Sequence, residues 1–466
     1  MFETPPKKGE AKKEAVDQNW YERFEKIGSF QAYEYLDGDK EYRKRERSLF
    51  LSGEKENPTL DYPELDLGKI DSVDANLEIL KKDILEQEDN SVVRQVYRWR
   101  INEKIAEIRM LRASANGDMK RFERYSEFIY GRPSPEIFSY TVRGIRTIAK
   151  AWVGSENTAA SAAASDILSS LPEAEALGSD IAPPDLKTVL RGKNQTESDL
   201  GEIFNIQRES NETLDASAIK DAFTLALEQI KAEGWVAEIS TSSKTGISVN
   251  HEKKAVVIPE SKTLTVKRLR ELITHEIGTH TLRRINGERS RLRLLGLGLD
   301  RYEAAEEGIA TVREQSLREK ASDFSGLDGY LSVSLAKGLD GTPRDFRGVF
   351  MILKKYFLLL NISNGLDLEA AQEKADESAW NRCVRTFRGT DCKTKGICFT
   401  KDIIYREGNI AVWDIISKNQ PEMTRFNIGK YDPSNMRHLW ILEQLNITEK
   451  DLTELQEENN GLLEKR

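Results

Sequence analysis

The sequence predicts an α+β protein that is mainly helical, with a small sheet beside one helix that carries two histidines. Apolar residues recur at spacings of three and four along most of the chain, which is typical of amphipathic helices. Between Trp235 and Pro259 the spacing changes to two, which indicates short strands. With 466 residues, the chain is long enough for one large domain or for two to three smaller ones.

The composition argues against several classes of protein. The net charge of -8, from 70 basic and 78 acidic residues, is unlike the basic surface of a dedicated nucleic-acid-binding protein. Three cysteines are too few for a disulfide scaffold and suit a reducing compartment. The polar N-terminus lacks the apolar core of a signal peptide, and no apolar run is long enough to cross a bilayer. We therefore expect a cytoplasmic protein with no nucleic-acid or membrane partner, and its oligomeric state stays open.

The N-terminal part is expected to be helical after a disordered start that extends to about residue 20. One apolar stripe predicts a long helix that ends at Gly117, and it consists of Val93, Tyr97, Ile101, Ile105 and Ile108. Short helices and loops are expected at 155–200, which is rich in Ala, Ser and Thr. Four regions are predicted, namely a polar, partly disordered segment 1–54, a helical region 55–200, a region 201–420 that contains the histidine pair, and a C-terminal helical segment 421–466.

The second half should combine short strands with helices. Asp215 is a good N-cap for a helix that follows it. The alternating residues predict strands at 235–239, 247–249 and 255–258, and the turn between the last two holds His251. A helix should start near Leu264, and Gly296 and Gly298 should lie in a loop. Further helices are predicted at 301–320, 345–361 and 368–382.

The histidine pair carries the chemical signal. The chain has only four histidines, and two of them stand in the run His275-Glu276-Ile277-Gly278-Thr279-His280. In the usual His-Glu-x-x-His pattern, four residues turn a helix by about 400°, so both imidazoles share a face and can bind one Zn²⁺. Here five residues turn it by about 500°, and the side chains would diverge by roughly 140°. We therefore predict one widened, π-type turn near Gly278, where it is least costly.

A third metal ligand is expected on a helix downstream, where Glu303, Glu306 and Glu307 are the candidates. Successive residues on a helix point about 100° apart, so Glu306 and Glu307 cannot both reach one ion. Glu307 precedes Gly308 and resembles the metal-binding glutamate of the Asn-Glu-Gly segment in gluzincin aminopeptidases. We therefore choose Glu307 to complete the ligand set, with Glu306 turned aside and Glu303 supporting it from the same face.

The two runs His-Glu-Ile-Gly-Thr-His and Glu-Glu-Gly-Ile-Ala together resemble the microtubule-associated tyrosine carboxypeptidase family. Its bacterial relatives carry a QEGLP motif, of which this chain keeps the Glu-Gly pair at Glu307 and Gly308. The resemblance extends from about residue 55 to about residue 415. Its other segments are Asn57–Pro63, Ile129–Ser134, Asn286-Gly287, Asp300–Tyr302, Arg388–Thr390, Phe399–Asp402 and Tyr405.

This resemblance implies a zincin-like zinc metallopeptidase that removes C-terminal residues from a peptide or protein, which in eukaryotic members is the terminal tyrosine of α-tubulin. Zn²⁺ would be held by His275, His280 and Glu307. Glu276 would be the general base for the water that attacks the scissile carbonyl. The family also implies that the first 130 residues pack with the catalytic part.

The substrate contacts follow from what a carboxypeptidase must bind. Arg388 and Lys401 are the candidates to bind the α-carboxylate, with Arg385 nearby, and Tyr405 could donate a hydrogen bond to the tetrahedral oxyanion. The strand 255–258 is the candidate edge strand that pairs with an extended substrate.

Alternatives remain open at this stage. The metal motif indicates hydrolysis but not which chain end is cut, so an aminopeptidase or endopeptidase is possible. A binding protein with a structural metal is the other alternative, although Glu276 would have no use in it. Cys392 and Cys398 are expected to be plain thiols, and His438 a packing residue.

Overall fold

The computed structural model describes residues 15–27, 35–173, 181–201, 212–241, 246–250, 253–319, 322–448 and 450–451. Within these ranges the chain is mainly helical with two small sheets, which confirms the predicted α+β class. The α-helices are α1 Gln18–Ile27, α2 Lys40–Leu51, α3 Leu67–Gln87, α4 Ser91–Ala115, α5 Met119–Tyr130, α6 Pro135–Trp152, α7 Thr158–Ser170, α8 Leu186–Leu200, α9 Ala216–Gln229, α10 Val266–His275, α11 Leu282–Arg289, α12 Leu294–Leu297, α13 Glu303–Leu317, α14 Leu327–Lys337, α15 Phe346–Ser363, α16 Leu368–Phe387, α17 Ile403–Ser417 and α18 Met436–Gln444.

The strands form two separate sheets, and they are β1 Thr213–Leu214, β2 Val236–Ser240, β3 Ser248–Asn250, β4 Ala255–Pro259 and β5 Leu264–Thr265. In the smaller sheet β1 pairs with β5 in antiparallel fashion. In the larger one β4 lies between β2, which is parallel to it, and β3, which is antiparallel. The prediction of 255–258 as an edge strand is therefore wrong. Its unbroken apolar run is the pattern of a strand that is covered on both faces, and a central strand has no free edge for a substrate.

Several helices begin where the sequence predicts. The side chain of Asp215 accepts a hydrogen bond from the N–H of Ala218 and caps α9. The long apolar stripe lies in α4, and the C-cap Asn116 is followed by Gly117, whose φ is 69°. Asp345 caps α15 in the same way as Asp215.

Other boundaries differ from the predictions. α1 begins at Gln18, inside the segment expected to be disordered, and residues 1–14 lie outside the described ranges. Gly296 lies in the short helix α12 instead of a loop, and α16 runs past Arg382 to Phe387. Both α14 and α17 are absent from the predictions. Residues 329–336 of α14 are all buried, so this helix has no polar face and shows no amphipathic stripe.

The N-terminal helices share hydrophobic cores with later parts of the chain. One core joins residues of α1, α3, α4 and α5 to residues between 292 and 299 and between 428 and 447. A second joins Phe50, α6 and α7 to α14, α15 and α16. A third lies under the larger sheet, between α9 and α10. The region boundaries at residues 54, 200 and 420 stay predictions. None of the described helices is both long and apolar enough to cross a membrane.

Candidate metal centre and active site

The histidine pair lies on a distorted helix. α10 ends at His275, a π-helical segment follows over Glu276–Thr281, and α11 then begins at Leu282. The N–H of Leu282 donates to the carbonyl of Ile277, five residues earlier. The widened turn that the spacing predicts is therefore present. It brings the two imidazole rings to a centroid distance of 4.9 Å, whereas a regular helix would turn them to different faces.

Glu307 reaches the histidine pair from α13. One ligand atom from each of His275, His280 and Glu307 lies within 4.8 Å of the others, and Nε2 of His275 is 3.9 Å from Oε2 of Glu307. Two imidazoles and one carboxylate are a usual donor set for Zn²⁺ that leaves a fourth position open. The three predicted ligands therefore converge, while their binding of a metal stays a prediction.

Each imidazole is oriented by a carboxylate on α13. Nδ1 of His275 lies 2.7 Å from Oε1 of Glu314, and Nδ1 of His280 lies 3.0 Å from Oε1 of Glu306. An ionised carboxylate only accepts hydrogen bonds, so each Nδ1 carries the proton and donates. In a neutral imidazole the lone pair is then on Nε2, the nitrogen that a metal would bind.

Glu306 is turned away from the predicted metal position, as expected, and is embedded in positive charge. It pairs with Arg283, and its Oε1 lies 3.5 Å from Nζ of Lys430. Burial alone would raise the pKa of Glu306, but Arg283, Lys430 and His280 outweigh it and lower the pKa. Glu306 therefore stays ionised and can hold Nδ1 of His280 at neutral pH.

Arg283 connects this carboxylate to a late part of the chain, the 426–431 segment. The guanidinium is fully buried and donates from Nε to the carbonyl of Phe426 at 2.6 Å and from Nη2 to that of Tyr431 at 2.8 Å. The 426–431 segment thus lies behind Glu306 and binds the arginine that pairs with it.

The electrostatics of the site favour a cation. Burial would lower the pKa of His275, but the hydrogen bond to Glu314 and the charges of Glu276, Glu307 and Glu314 outweigh it and raise the pKa to about 9. The negative charge around His275 therefore favours a proton on the ring. A divalent cation at Nε2 would neutralise the same charge, so the residues present fit a metal.

Glu276 follows directly after His275 and is partly exposed. Its charge acts on His275, yet within the described part of the chain its carboxylate has no hydrogen-bond or ion-pair partner. Tyr405, the other predicted catalytic residue, lies on α17. Burial and, after it, the charge of Glu307 raise the pKa of Tyr405 to about 12, so its hydroxyl keeps its proton and can donate a hydrogen bond.

Two glycines bring Tyr405 close to Glu307, because they let α13 and α17 cross without side chains between them. A Cβ on Gly408 would lie 1.7 Å from the carbonyl oxygen of Ala304, and a Cβ on Gly308 would lie 2.3 Å from that of Gly408. Both close contacts involve backbone atoms, which cannot move aside as a flexible side chain can. Gly308 is thus required by the helix crossing, next to the predicted ligand Glu307.

The predicted carboxylate-binding residues differ in how they are engaged. Nζ of Lys401 pairs with Oε2 of Glu303 at 2.7 Å, so Glu303 supports Lys401 instead of Glu307. Nε of Arg388 donates to a main-chain carbonyl at 3.3 Å, and no carboxylate among the described residues bonds to its guanidinium. Arg385 forms two hydrogen bonds with Asp402.

The remaining histidines and the cysteines lie outside the cluster. His438 is fully buried and accepts a hydrogen bond from the N–H of Asp432, as expected of a packing residue. His251 lies outside the described residues. Cys383, Cys392 and Cys398 are free, buried thiols whose pKa values burial raises.

Several residues that support the site were not predicted from the sequence. Glu314 stands seven residues after Glu307, two helical turns away on the same face, and this spacing could have indicated it. Arg283 and Arg313 carry no such signal, because each also bonds to a segment more than a hundred residues away.

Comparisons with known proteins agree with the resemblance in the motifs. The family model described as microtubule-associated tyrosine carboxypeptidase matches residues 190–319 and 367–455. Human microtubule-associated tyrosine carboxypeptidase 1 is 30% identical over 152 residues, which are 31% of this chain and 27% of the relative. The mouse protein of the same name is 29% identical over 150 residues, with the same coverage of both chains. The chain thus matches about a quarter of the length of these relatives, and no solved structure matches it.

The matched residues bear on the predicted extent of the resemblance. They include all three predicted metal ligands and Glu276, and they extend past the predicted end near residue 415. They do not include the segment from residue 55 to residue 189, where the resemblance was expected to begin.

Proposed function

From its kinship with the microtubule-associated tyrosine carboxypeptidases, we propose that the chain is a zincin-like, zinc-dependent metallocarboxypeptidase that hydrolyses the C-terminal peptide bond of a peptide or protein. The observation that carries the proposal is the convergence of His275, His280 and Glu307 on a π-helical turn. A π-helical turn is rare, and here it turns two imidazoles to one point that they could not share on a regular helix.

In this proposal Nε2 of each histidine and the carboxylate of Glu307 hold the metal. A bound Zn²⁺ would act as a Lewis acid and would make water more acidic, which prepares it for attack on the scissile carbonyl. The chain's own contribution is to fix the two imidazoles by Glu314 and Glu306, so that their Nε2 atoms are held towards one place.

Glu276 is the proposed general base. Because its carboxylate is unpaired among the described residues and adjacent to His275, it can take a proton from the attacking water. The same carboxylic acid then returns the proton to the nitrogen of the leaving amino acid. Tyr405 keeps its proton at neutral pH and donates a hydrogen bond to the scissile carbonyl oxygen as that oxygen becomes negatively charged.

We assign Arg388 and Lys401 to the free α-carboxylate of the substrate. Arg388 retains unpaired N–H groups within the described chain, and arginine's planar fork matches the two carboxylate oxygens. Lys401 is closer to the reacting groups, since its charge acts on Tyr405 and its partner Glu303 is one turn before Glu307. Substrate binding would require Lys401 to share its charge between Glu303 and the new carboxylate.

The test of the metal is direct. Protein purified without chelator should contain about one Zn²⁺ per chain by elemental analysis. His275→Ala should lose the metal, and His438→Ala is the matched control because it removes another buried imidazole outside the cluster. Full hydrolytic activity in metal-free protein would refute the proposal.

The test of the reaction uses three peptides of one sequence that ends in tyrosine, the residue named for the relatives. One is unmodified, one is acetylated at the N-terminus and one is amidated at the C-terminus, and products are read by mass spectrometry. A carboxypeptidase releases the terminal residue from the first two and cannot bind the third through a carboxylate. Loss of activity on the acetylated peptide would indicate an aminopeptidase, and internal cleavage an endopeptidase.

The base is tested by Glu276→Gln, which keeps the size of the side chain but cannot accept the proton. Turnover should fall by about two to four orders of magnitude, the usual weight of general acid–base catalysis, while zinc content stays the same. Unchanged turnover would give Glu276 a structural role. No turnover of any peptide by the zinc-loaded parent would favour a metal-containing binding protein.

A further inference from the structure

The π-helical turn creates a hydrogen-bonding problem at Gly278. In a regular helix the carbonyl of Gly278 would accept from the N–H of Leu282, four residues later. That N–H instead donates to the carbonyls of Ile277 and Thr279. A buried carbonyl without a donor costs free energy, so the widened turn needs a partner from elsewhere.

Arg313 supplies this partner. Its Nη1 donates to the carbonyl oxygen of Gly278 at 2.7 Å and to Oγ1 of Thr279 at 3.1 Å. Arg313 lies on α13, six residues after Glu307, and only 2% of its surface is exposed. One guanidinium thus binds the centre of the turn from the helix that also provides the third ligand.

Two other segments fix the far side of this guanidinium. Nη2 of Arg313 donates to Oδ2 of Asp199 at 2.6 Å and to Oδ1 of Asn427 at 3.0 Å. Asp199 precedes Leu200, the last residue of α8, and a Cβ on Gly278 would lie 2.7 Å from Cδ1 of Leu200. The turn is therefore enclosed by α8, by α13 and by the 426–431 segment.

We propose that Arg313 is a positioning residue that holds the π-helical turn open and thereby sets the affinity of the site for its metal. The proposal rests on the proposed function, because it concerns the ligand set of that site. Without the guanidinium, the turn can recover a regular i to i+4 hydrogen bond at Gly278. That change would rotate His280 away from His275.

The charge of Arg313 and its hold on the turn predict opposite effects of its removal on Zn²⁺ affinity, which makes the proposal testable. Arg313 is a buried cation whose neighbours include Arg283 and Glu306, close to the site. If only its charge mattered, its removal would strengthen the binding of a divalent cation. If it holds the turn open, its removal should weaken binding despite the lost positive charge.

The experiment compares Arg313→Met with the parent and with Arg406→Met. Arg406 is 1% exposed in its side chain and also donates to a main-chain carbonyl, that of Phe324, and to an aspartate. It is therefore a matched buried arginine away from the turn. Zn²⁺ affinity is measured by competition with a chelator, and the fold of each metal-free protein by circular dichroism and thermal unfolding.

Arg313→Met should bind Zn²⁺ about 10- to 100-fold more weakly, the range seen when groups that orient metal ligands are lost. Arg406→Met should lower the thermal midpoint and leave the affinity unchanged. If Arg313→Met does not fold, Arg313→Lys keeps the charge without the fork, and its affinity should fall in the same direction. Unchanged or tighter binding in the folded variant would overturn the inference. A parent that binds no Zn²⁺ would instead refute the proposed function.

Discussion

Two regions of the molecule bring residues of the candidate site close together, and they use opposite means. At the π-helical turn, one residue beyond the usual spacing is accommodated by widening the backbone, and buried polar groups satisfy the carbonyl that this frees. At the crossing of α13 and α17, two glycines remove side chains so that the backbones touch. The first region replaces a backbone hydrogen bond with one from a buried side chain, whereas the second leaves no space for a side chain. This difference predicts which substitutions should lower the free energy of unfolding most.

The largest effect is expected at the crossing. In Gly408→Ala the new Cβ would lie 1.7 Å from the carbonyl oxygen of Ala304, so α13 and α17 must separate. We expect a loss of about 3 kcal/mol or more in the free energy of unfolding, at the upper end for overpacked cores. Chemical denaturation of the parent and the variant measures it. Gly144→Ala is the control, because a Cβ there meets nothing within 4 Å. Equal stability of Gly408→Ala and the parent would show that the crossing has room.

The same helix α17 carries a group that makes the stability of the fold sensitive to pH. Burial raises the pKa of Glu407 to about 7, against hydrogen bonds from Tyr330 and Ser134 that lower it. The unfolded chain has the ordinary value of 4.5, so the folded state binds the proton more tightly. The contribution of Glu407 to stability should therefore fall as pH rises from about 4.5 to about 7 and be constant above that.

Glu407→Gln should remove this dependence. Below pH 4.5 the free energy of unfolding of Glu407→Gln should be close to that of the parent. As pH rises through 7, the variant should become more stable than the parent by at most about 3 kcal/mol, since one pKa unit corresponds to about 1.4 kcal/mol. Thermal unfolding at pH 4, 6 and 8 measures it. A gain that is the same at all three values would contradict the assignment.

At the proposed metal site, Glu314→Gln tests the support of His275 by the Glu314 carboxylate. The amide can present its oxygen to Nδ1 but lacks the charge, so Zn²⁺ affinity should fall by about 10- to 100-fold. Chelator competition measures the affinity. Glu319→Gln, which removes an exposed carboxylate beyond the end of the same helix, should not change it. A similar loss in both variants would mean that only the overall charge matters.

The smallest effect is expected at the turn itself. A Cβ in Gly278→Ala would lie 2.7 Å from Cδ1 of Leu200, which is the flexible end of a side chain and can move. We expect a loss of about 1 kcal/mol, well below that of Gly408→Ala. Adding Leu200→Val to Gly278→Ala should restore part of the lost stability, because the shorter side chain leaves room for the new methyl group. A loss as large as that at Gly408 would erase the contrast between the two regions.

The two regions also differ in what the sequence alone could predict. Helical geometry and the five-residue spacing of His275 and His280 were enough to predict the π-helical turn, because the argument needs no distant residue. Helical geometry also predicted that Glu306 and Glu307 cannot both reach one ion. The choice of Glu307, which lies with the histidines, depended on its resemblance to the glutamate of an Asn-Glu-Gly segment. In contrast, the close approach of Gly308 and Gly408 joins positions a hundred residues apart, and no local pattern indicates it.

The fold shows the same limit. Periodicity predicted α4, α9 and α10, which have one apolar face, and missed α14, which is buried on every side. It found the strand 255–258 but misplaced it at the edge, since order within a sheet depends on pairing between separate segments.

The buried position of Arg283 has a consequence for the order of events during synthesis. The ligand-bearing residues 275–307 leave the ribosome more than a hundred residues before Phe426 and Tyr431, whose carbonyls Arg283 needs. At about 5 to 20 residues per second, this wait lasts on the order of ten seconds. Until then Arg283 can donate only to Glu306 and to water, because the 426–431 segment that lies behind Glu306 is not yet in place. The nascent chain would therefore complete the proposed metal site late, after the 426–431 segment has emerged.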